Sequence, residues 1–133
     1  MNEVEYKINT PIATAQIIAL YCNSGLPRPI DDETRIAEMF VNSTLVISAW
    51  VGEDLIGISR SLTDFVWCCY LADLAVRKDF QKAGVGRKLV EITRQAVSEK
   101  SMVLLLSVPD ALEYYPKIGM AKVENGFIFN RLK

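Results

Sequence analysis

The sequence contains no histidine. That absence excludes Ser-His-Asp and Cys-His catalysis within the chain, and every histidine-ligated metal site. Acid–base chemistry falls to carboxylates, tyrosines, cysteines or water. Cysteine is scarce, at Cys22, Cys68 and Cys69. An odd number with one adjacent pair makes no disulfide framework, and the spacing is not that of a zinc site. Buried reduced thiols are expected, and no metal. A basic excess is missing too, with 15 Lys and Arg against 16 Asp and Glu. Nucleic acid is therefore not an expected partner. The longest apolar runs, such as Met102–Leu106, are far shorter than a membrane span. The acidic, alternating start Met1–Glu5 does not resemble an export signal. A cytoplasmic location is the default expectation, with no membrane partner.

What is present suits one domain, residues 1–133, with half its residues hydrophobic. Val4–Ile8 alternates as a first strand. Pro11 opens a helix with Ile12, Ala15, Ile18 and Ala19 on its apolar face, ending near Gly25. Asp31 or Asp32 caps a second helix carrying Ile36, Met39 and Phe40. Three strands are predicted next: Thr44–Val51, Leu55–Leu62 and Phe65–Val76. The repeat of Val85, Leu89, Ile92 and Ala96 predicts a helix from Gly84 to about Lys100. Met102–Val108 reads as a strand buried on both faces. A short helix over Ala111–Tyr115 and a last hairpin over Met120–Arg131, turning at Asn125-Gly126, complete the order. The implied class is α/β: a mixed, mostly antiparallel central sheet with helices on both faces.

Gln81-Lys82-Ala83-Gly84-Val85-Gly86-Arg87-Lys88 is the most informative stretch. It places two glycines and several cations at a helix start. Free amides and the helix dipole make that end attractive to an anion, and glycine lets a phosphate approach the backbone. A nucleotide-triphosphate loop would need Ser or Thr after the lysine, but Leu89 follows Lys88. A dinucleotide fingerprint would need a third glycine where Leu89 stands. The pattern [Arg/Gln]-x-x-Gly-x-[Gly/Ala], which embraces a pyrophosphate, is met by Gln81, Gly84 and Gly86.

Leu71–Val76, this turn and the helix after it resemble the central motif of the GCN5-related N-acetyltransferases. Ala111-Leu112-Glu113-Tyr114-Tyr115-Pro116-Lys117-Ile118-Gly119-Met120 is similar to that family's C-terminal block A-x-x-[FY]-Y-x-x-x-G-[FM]. The resemblance implies acetyl-CoA as cosubstrate, in the gap of a splayed parallel pair, Val76's strand and Met102–Val108. It implies that the backbone of Leu74, Ala75 and Val76 holds the pantetheine. Gln81, Lys82, Ala83, Gly84, Val85, Gly86, Arg87 and Lys88 would hold the pyrophosphate. Backbone N–H at or beside Val76 would polarise the thioester carbonyl.

The implied reaction is direct acetyl transfer to a primary amine, with no metal. Tyr115 matches the family's acid for the leaving thiolate, with Tyr114 as core or cofactor wall. Asp73 has two readings. It is the proton acceptor, or a structural acceptor for nearby backbone or Arg60. Leu26, Pro27, Pro29, Phe40 and Trp50 are candidate apolar contacts for the amine. Asp31, Asp32, Glu33 and Asp64 are candidate attractors of its charge. Cys68, Cys69, Met102 and Met120 read as core. The run from Arg60 to Val76 is also similar to a subgroup with plant plastid acetyltransferases acting on arylalkylamines such as serotonin, and on proteins. The expected partner is thus a small-molecule amine or a protein amine, the small or aromatic one favoured. A homodimer is left open. The other readings are a noncatalytic acyl-CoA-binding module and an interaction protein with a purely structural glycine turn.

Overall fold

The computed structural model describes residues 3–133. Four strands form one antiparallel sheet in the order β1 (Glu5–Ile8), β2 (Leu45–Val51), β3 (Asp54–Thr63), β4 (Cys69–Val76). Helices α1 (Thr14–Ser24) and α2 (Glu33–Val41) pack on one face, around Ile17, Leu20, Tyr21, Ile36 and Ile58. Helix α3 (Val85–Ala96) packs on the other, around Ile47, Ile56, Val85 and Leu89. Gly57 permits that approach: a Cβ there would lie 3.1 Å from both Leu89 and Val85. The expected mixed α/β class, with helices on both faces, is the observed one.

Local chemistry sets the boundaries. Gly25, at φ 79°, closes α1 with its N–H on the Tyr21 carbonyl. Asp32, not Asp31, caps α2 by accepting from Arg35 N at 3.1 Å. The buried side of α1 carries Ile17, Leu20 and Tyr21, whereas the expected Ala15 and Ala19 are exposed. The helix is rotated to bring its largest side chains inward. Helix α3 ends at Ala96 because Val97 is extended, so it falls short of Lys100.

Strand β4 starts four residues later than its apolar sequence predicts. One oxygen of Asp64 accepts from the backbone N–H of Val66, Trp67 and Cys68, folding those residues into a loop. Two of the three cysteines are consequently not buried: Cys68 sits in this loop and Cys22 on the outer side of α1, leaving Cys69 buried.

The C-terminal third departs most from its pattern. Met102–Val108 runs parallel to β4 but joins it at a single bridge, Tyr70 to Leu104. Met102 and Leu106 are exposed, which corrects Met102 as a core residue and the segment as a strand buried on both faces. A 3-10 turn (Pro109–Ala111) precedes α4 (Tyr114–Lys117). That helix begins, rather than ends, at the tyrosines. Pro116 lies in its first turn, where no N–H is needed. No hairpin forms over Met120–Arg131: residues 121–131 are exposed, half-buried Met120 bonds back to the Tyr115 carbonyl, and none pairs with a neighbouring strand among the described residues. No helix among the described residues is long and apolar enough to cross a membrane.

Candidate active site

The site begins where a ladder stops. Leu104 N–H donates to the Cys69 carbonyl, and Leu71 N–H donates to the Leu104 carbonyl, each at 2.8 Å. Beyond that point β4 and residues 105–108 exchange no backbone bond. Between them opens a cleft of about 610 Å³, walled by Leu74, Val76, Leu106, Gly86, Tyr114 and Tyr115 among others. A bulge at this place helps part the strands. Arg60 pairs with Asp73 and Ser61 with Leu71, leaving Ala72 as the extra residue.

One end of the cleft is the start of α3. Gly84 adopts φ 82° and ψ 7°, a left-handed conformation open to glycine. No side chain caps this helix, and Lys88 N to Gly84 O is its first α-helical bond, at 3.1 Å. The amides before Lys88 are the ordinary anion-binding donors of a helix start. Gly86 faces the cleft, and a Cβ there would come within 3.0 Å of the Tyr114 hydroxyl. Gln81 turns back to donate to the Val76 carbonyl at 2.9 Å, bracing the end of β4. Lys82, Arg87 and Lys88 are exposed around the turn, Lys88 standing 3.8 Å from Glu91.

The tyrosines of α4 stand edge to face, their ring centres 5.2 Å apart. Tyr115 makes no side-chain hydrogen bond among the described residues. Burial, then the neighbouring Tyr114, push its phenol above the ordinary value. It stays protonated at neutral pH and can donate. Burial also raises Tyr114, opposed by the charge of Arg87.

Asp73 lies beside the cleft, its side chain fully buried. Oδ1 accepts from Arg28 Nε at 2.6 Å, and Oδ2 from Arg60 Nε at 2.6 Å and the Tyr21 hydroxyl at 2.7 Å. Burial would push this carboxyl up. The bonds and charges of Arg60, Arg28 and Tyr21 outweigh it and hold the group below the usual carboxylate range. A carboxylate so engaged is a poor proton acceptor, and the reading as an acceptor for Arg60 is the one the geometry favours. Arg28 also donates to the carbonyls of Ala72 at 2.8 Å and Pro27 at 2.7 Å. It fastens the α1–α2 loop to the bulge. Leu26 and Pro27 thereby roof the cleft.

Other candidates lie elsewhere. Trp50 is buried in the core, and Phe40 packs against Tyr21 under Arg60. Asp32 and Asp64 are spent on backbone amides. Neither lines the cleft, whose wall carries one carboxylate among the described residues, Asp110. Sequence reasoning missed it, along with Arg28 and Tyr21. The rigid Pro27-Arg28-Pro29 was the available signal for Arg28.

The family model of the acetyltransferase (GNAT) domain matches residues 28–133. The chain belongs to the GNAT acetyltransferase family. The GNAT domain here is 31% identical over 93 residues to an uncharacterized N-acetyltransferase, ycf52, of Pyropia yezoensis, covering 64% of this chain and 52% of that protein. The chain thus spans about half the length of the curated relatives it matches. A probable acetyltransferase of unknown function from meticillin-resistant Staphylococcus aureus shares its fold at TM-score 0.81 and 21% identity, over 97% of this chain and 99% of that one. An aminoglycoside N-acetyltransferase in complex with CoA shares it at TM-score 0.73 and 11% identity, over 100% and 97%.

Proposed function

We propose that this chain transfers the acetyl group of acetyl-CoA directly to a primary amine. The observation that carries this reading is the interrupted ladder. It leaves a cleft with an uncapped glycine-rich helix start at one end and a protonated tyrosine on its wall. These residues fit the cosubstrate. The backbone groups of Leu74 and the N–H of Val76 face away from β3 and suit an extended pantetheine chain, which would add to β4 as a strand does, with Ala75 between them holding the ladder to β3. The amides of Lys82 and of Gly84 to Arg87 suit the pyrophosphate, Ala83 N–H being held on the Phe80 carbonyl at 3.2 Å, with Lys82, Arg87 and Lys88 adding charge. A relative crystallised with CoA supports the same cosubstrate.

In the reaction, the neutral amine nitrogen bonds to the thioester carbon and the carbon–sulfur bond breaks. The Tyr115 hydroxyl supplies a proton to the departing thiolate. The amine sheds its proton to water at the mouth of the cleft, where Asp110 stands. Asp73 holds Arg28 and the roof rather than taking that proton. Backbone N–H at or beside Val76 polarises the thioester carbonyl.

Leu26, Pro27 and Leu106 suit a small or aromatic amine better than a polycation, which would meet Arg28 instead of an acidic wall. The test is thiol release from acetyl-CoA across a panel of small, aromatic and peptidyl amines. Release must depend on both the amine and Tyr115. Binding of acetyl-CoA without release from any amine would leave only a noncatalytic acyl-CoA module.

A further inference from the structure

The wall of the cleft carries two charged side chains among the described residues, Arg28 on the roof loop and Asp110 beyond Val108 on the facing segment. No ion pair joins them. Arg28 has Asp73 as its counter-ion, but it shares that carboxylate with Arg60, each at 2.6 Å. Tyr21, also on Asp73, adds no charge, because burial and then Asp73 hold its phenol well above the ordinary value. Two guanidinium groups against one carboxylate leave a positive charge over. The Arg60 side chain is 11% exposed and turns to Ser43 over the Phe40 ring, whereas that of Arg28 is 24% exposed and lines the cleft. The surplus charge therefore has its outlet at Arg28. A charge held in so dry a place is costly until an anion meets it.

Arg28 has donors left for that anion. A guanidinium offers five N–H groups. Three are spent, Nε on Asp73, one Nη1 hydrogen on the Pro27 carbonyl and one Nη2 hydrogen on the Ala72 carbonyl. One N–H remains on each terminal nitrogen, and a carboxylate takes donors of this kind. The place of Arg28 along the cleft says whose carboxylate it is. The anion-binding turn follows Val76, so the phosphates of the cosubstrate belong at that end. Its acetyl end points back along β4, past Leu74 towards the bulge. Ala72, the bulge residue that Arg28 holds, lies further along still, and the ladder closes the cleft just beyond, at Leu71 and Leu104. Arg28 stands in the space left to the acceptor, away from the phosphates.

The geometry points to an acceptor that carries a carboxylate beside its amine, an amino acid with an apolar side chain. Its carboxylate meets Arg28, its apolar part lies under Leu26 and Pro27, and its amine faces the water and Asp110 of the other wall. The inference rests on the acetyl-transfer reading and narrows it, the products being an N-acetyl amino acid and CoA thiol. A zwitterion answers both charges of the wall, whereas an arylalkylamine answers Asp110 alone and leaves Arg28 unmet. Hydrogen bonds between charged groups make the carboxylate worth about 10–100-fold in affinity.

Two pairs of acetylated products, alike but for a carboxylate, test it: N-acetylphenylalanine against N-acetylphenethylamine, and N-acetylleucine against N-(3-methylbutyl)acetamide. No ionisable amine remains in any of them, so amine basicity plays no part. Calorimetric titration into the CoA-loaded protein should show the carboxylate member about 10–100-fold tighter. Arg28→Met should erase most of that ratio, and Arg28→Lys should keep part of it. The wild-type comparison stands even where a variant fails to fold. Thiol release from acetyl-CoA with phenylalanine, leucine and their decarboxylated amines separates this inference from the reading beneath it. No carboxylate preference in either product pair, or a preference that survives Arg28→Met, overturns the amino-acid assignment, and release from the plain amines would then leave acetyl transfer standing. No release from any amine overturns both.

Discussion

Arg28 Nε lies 2.6 Å from Asp73 Oδ1, and this pair ties the roof of the cleft to the strand beneath it. The second oxygen of Asp73 serves Arg60 at the same distance. Removing the carboxylate leaves two guanidinium groups without their partner in a buried place. Asp73→Asn should therefore destabilise the fold by about 3–5 kcal/mol, the usual cost of breaking a buried pair. Denaturant unfolding measures it. A general base would behave oppositely, with turnover lost and stability kept.

The same network sets a pH dependence. The folded-state pKa of Asp73 is depressed, so its contribution is complete above the unfolded value, near ~3.9. It is lost as pH falls through the lower folded value. The stability gap between wild type and Asp73→Asn should stay constant from about pH 5 to pH 8 and narrow below about pH 4. Unfolding midpoints of both proteins across that range check the sign. A gap that widens in acid would place the shift in the wrong direction.

The network was invisible to local pattern. Asp73 draws its partners from 52, 45 and 13 residues away, and no periodicity encodes such meetings. The start of α3 was legible because glycines, cations and a helical repeat are all local there. Phe65–Cys68 misled for a different reason. Its apolar side chains suit a strand, but the Asp64 carboxylate offers its amides a better partner. Met102–Val108 has the composition of a two-sided core strand, yet it meets β4 at a single bridge and leaves Met102 and Leu106 exposed. A hairpin over Met120–Arg131 needs a neighbouring strand, and none pairs with it among the described residues.

Tyr115→Phe keeps the ring and its packing on Tyr114 while deleting the proton donor. Acetyl transfer should fall by about 10²–10⁴-fold in kcat, the usual worth of a positioned acid. Affinity for acetyl-CoA should change little, as read by calorimetric titration. Because burial raises the Tyr115 phenol, the wild-type rate should not decline on account of this group until pH exceeds about 10.

Gly86 lies against the Tyr114 hydroxyl, and an added Cβ would stand 3.0 Å from it. Gly86→Ala should push α4 from the mouth of the helix start and weaken acetyl-CoA binding. Gly84→Ala acts through the backbone instead. Its left-handed conformation costs about 1–2 kcal/mol with a side chain present. Thermal unfolding with and without acetyl-CoA separates the two. Gly84→Ala lowers the midpoint of the free protein, while Gly86→Ala chiefly reduces the shift on adding ligand.

The amides of the isotopically labelled protein, followed by NMR as acetyl-CoA is added, test the site most directly. The largest shifts should fall on Lys82–Arg87 and on Leu74–Val76, and Gly86→Ala should reduce them. Shifts confined to the groove beyond α3, around Ser98–Val103, or no shifts at saturating acetyl-CoA, would contradict this cleft as the acetyl-CoA site.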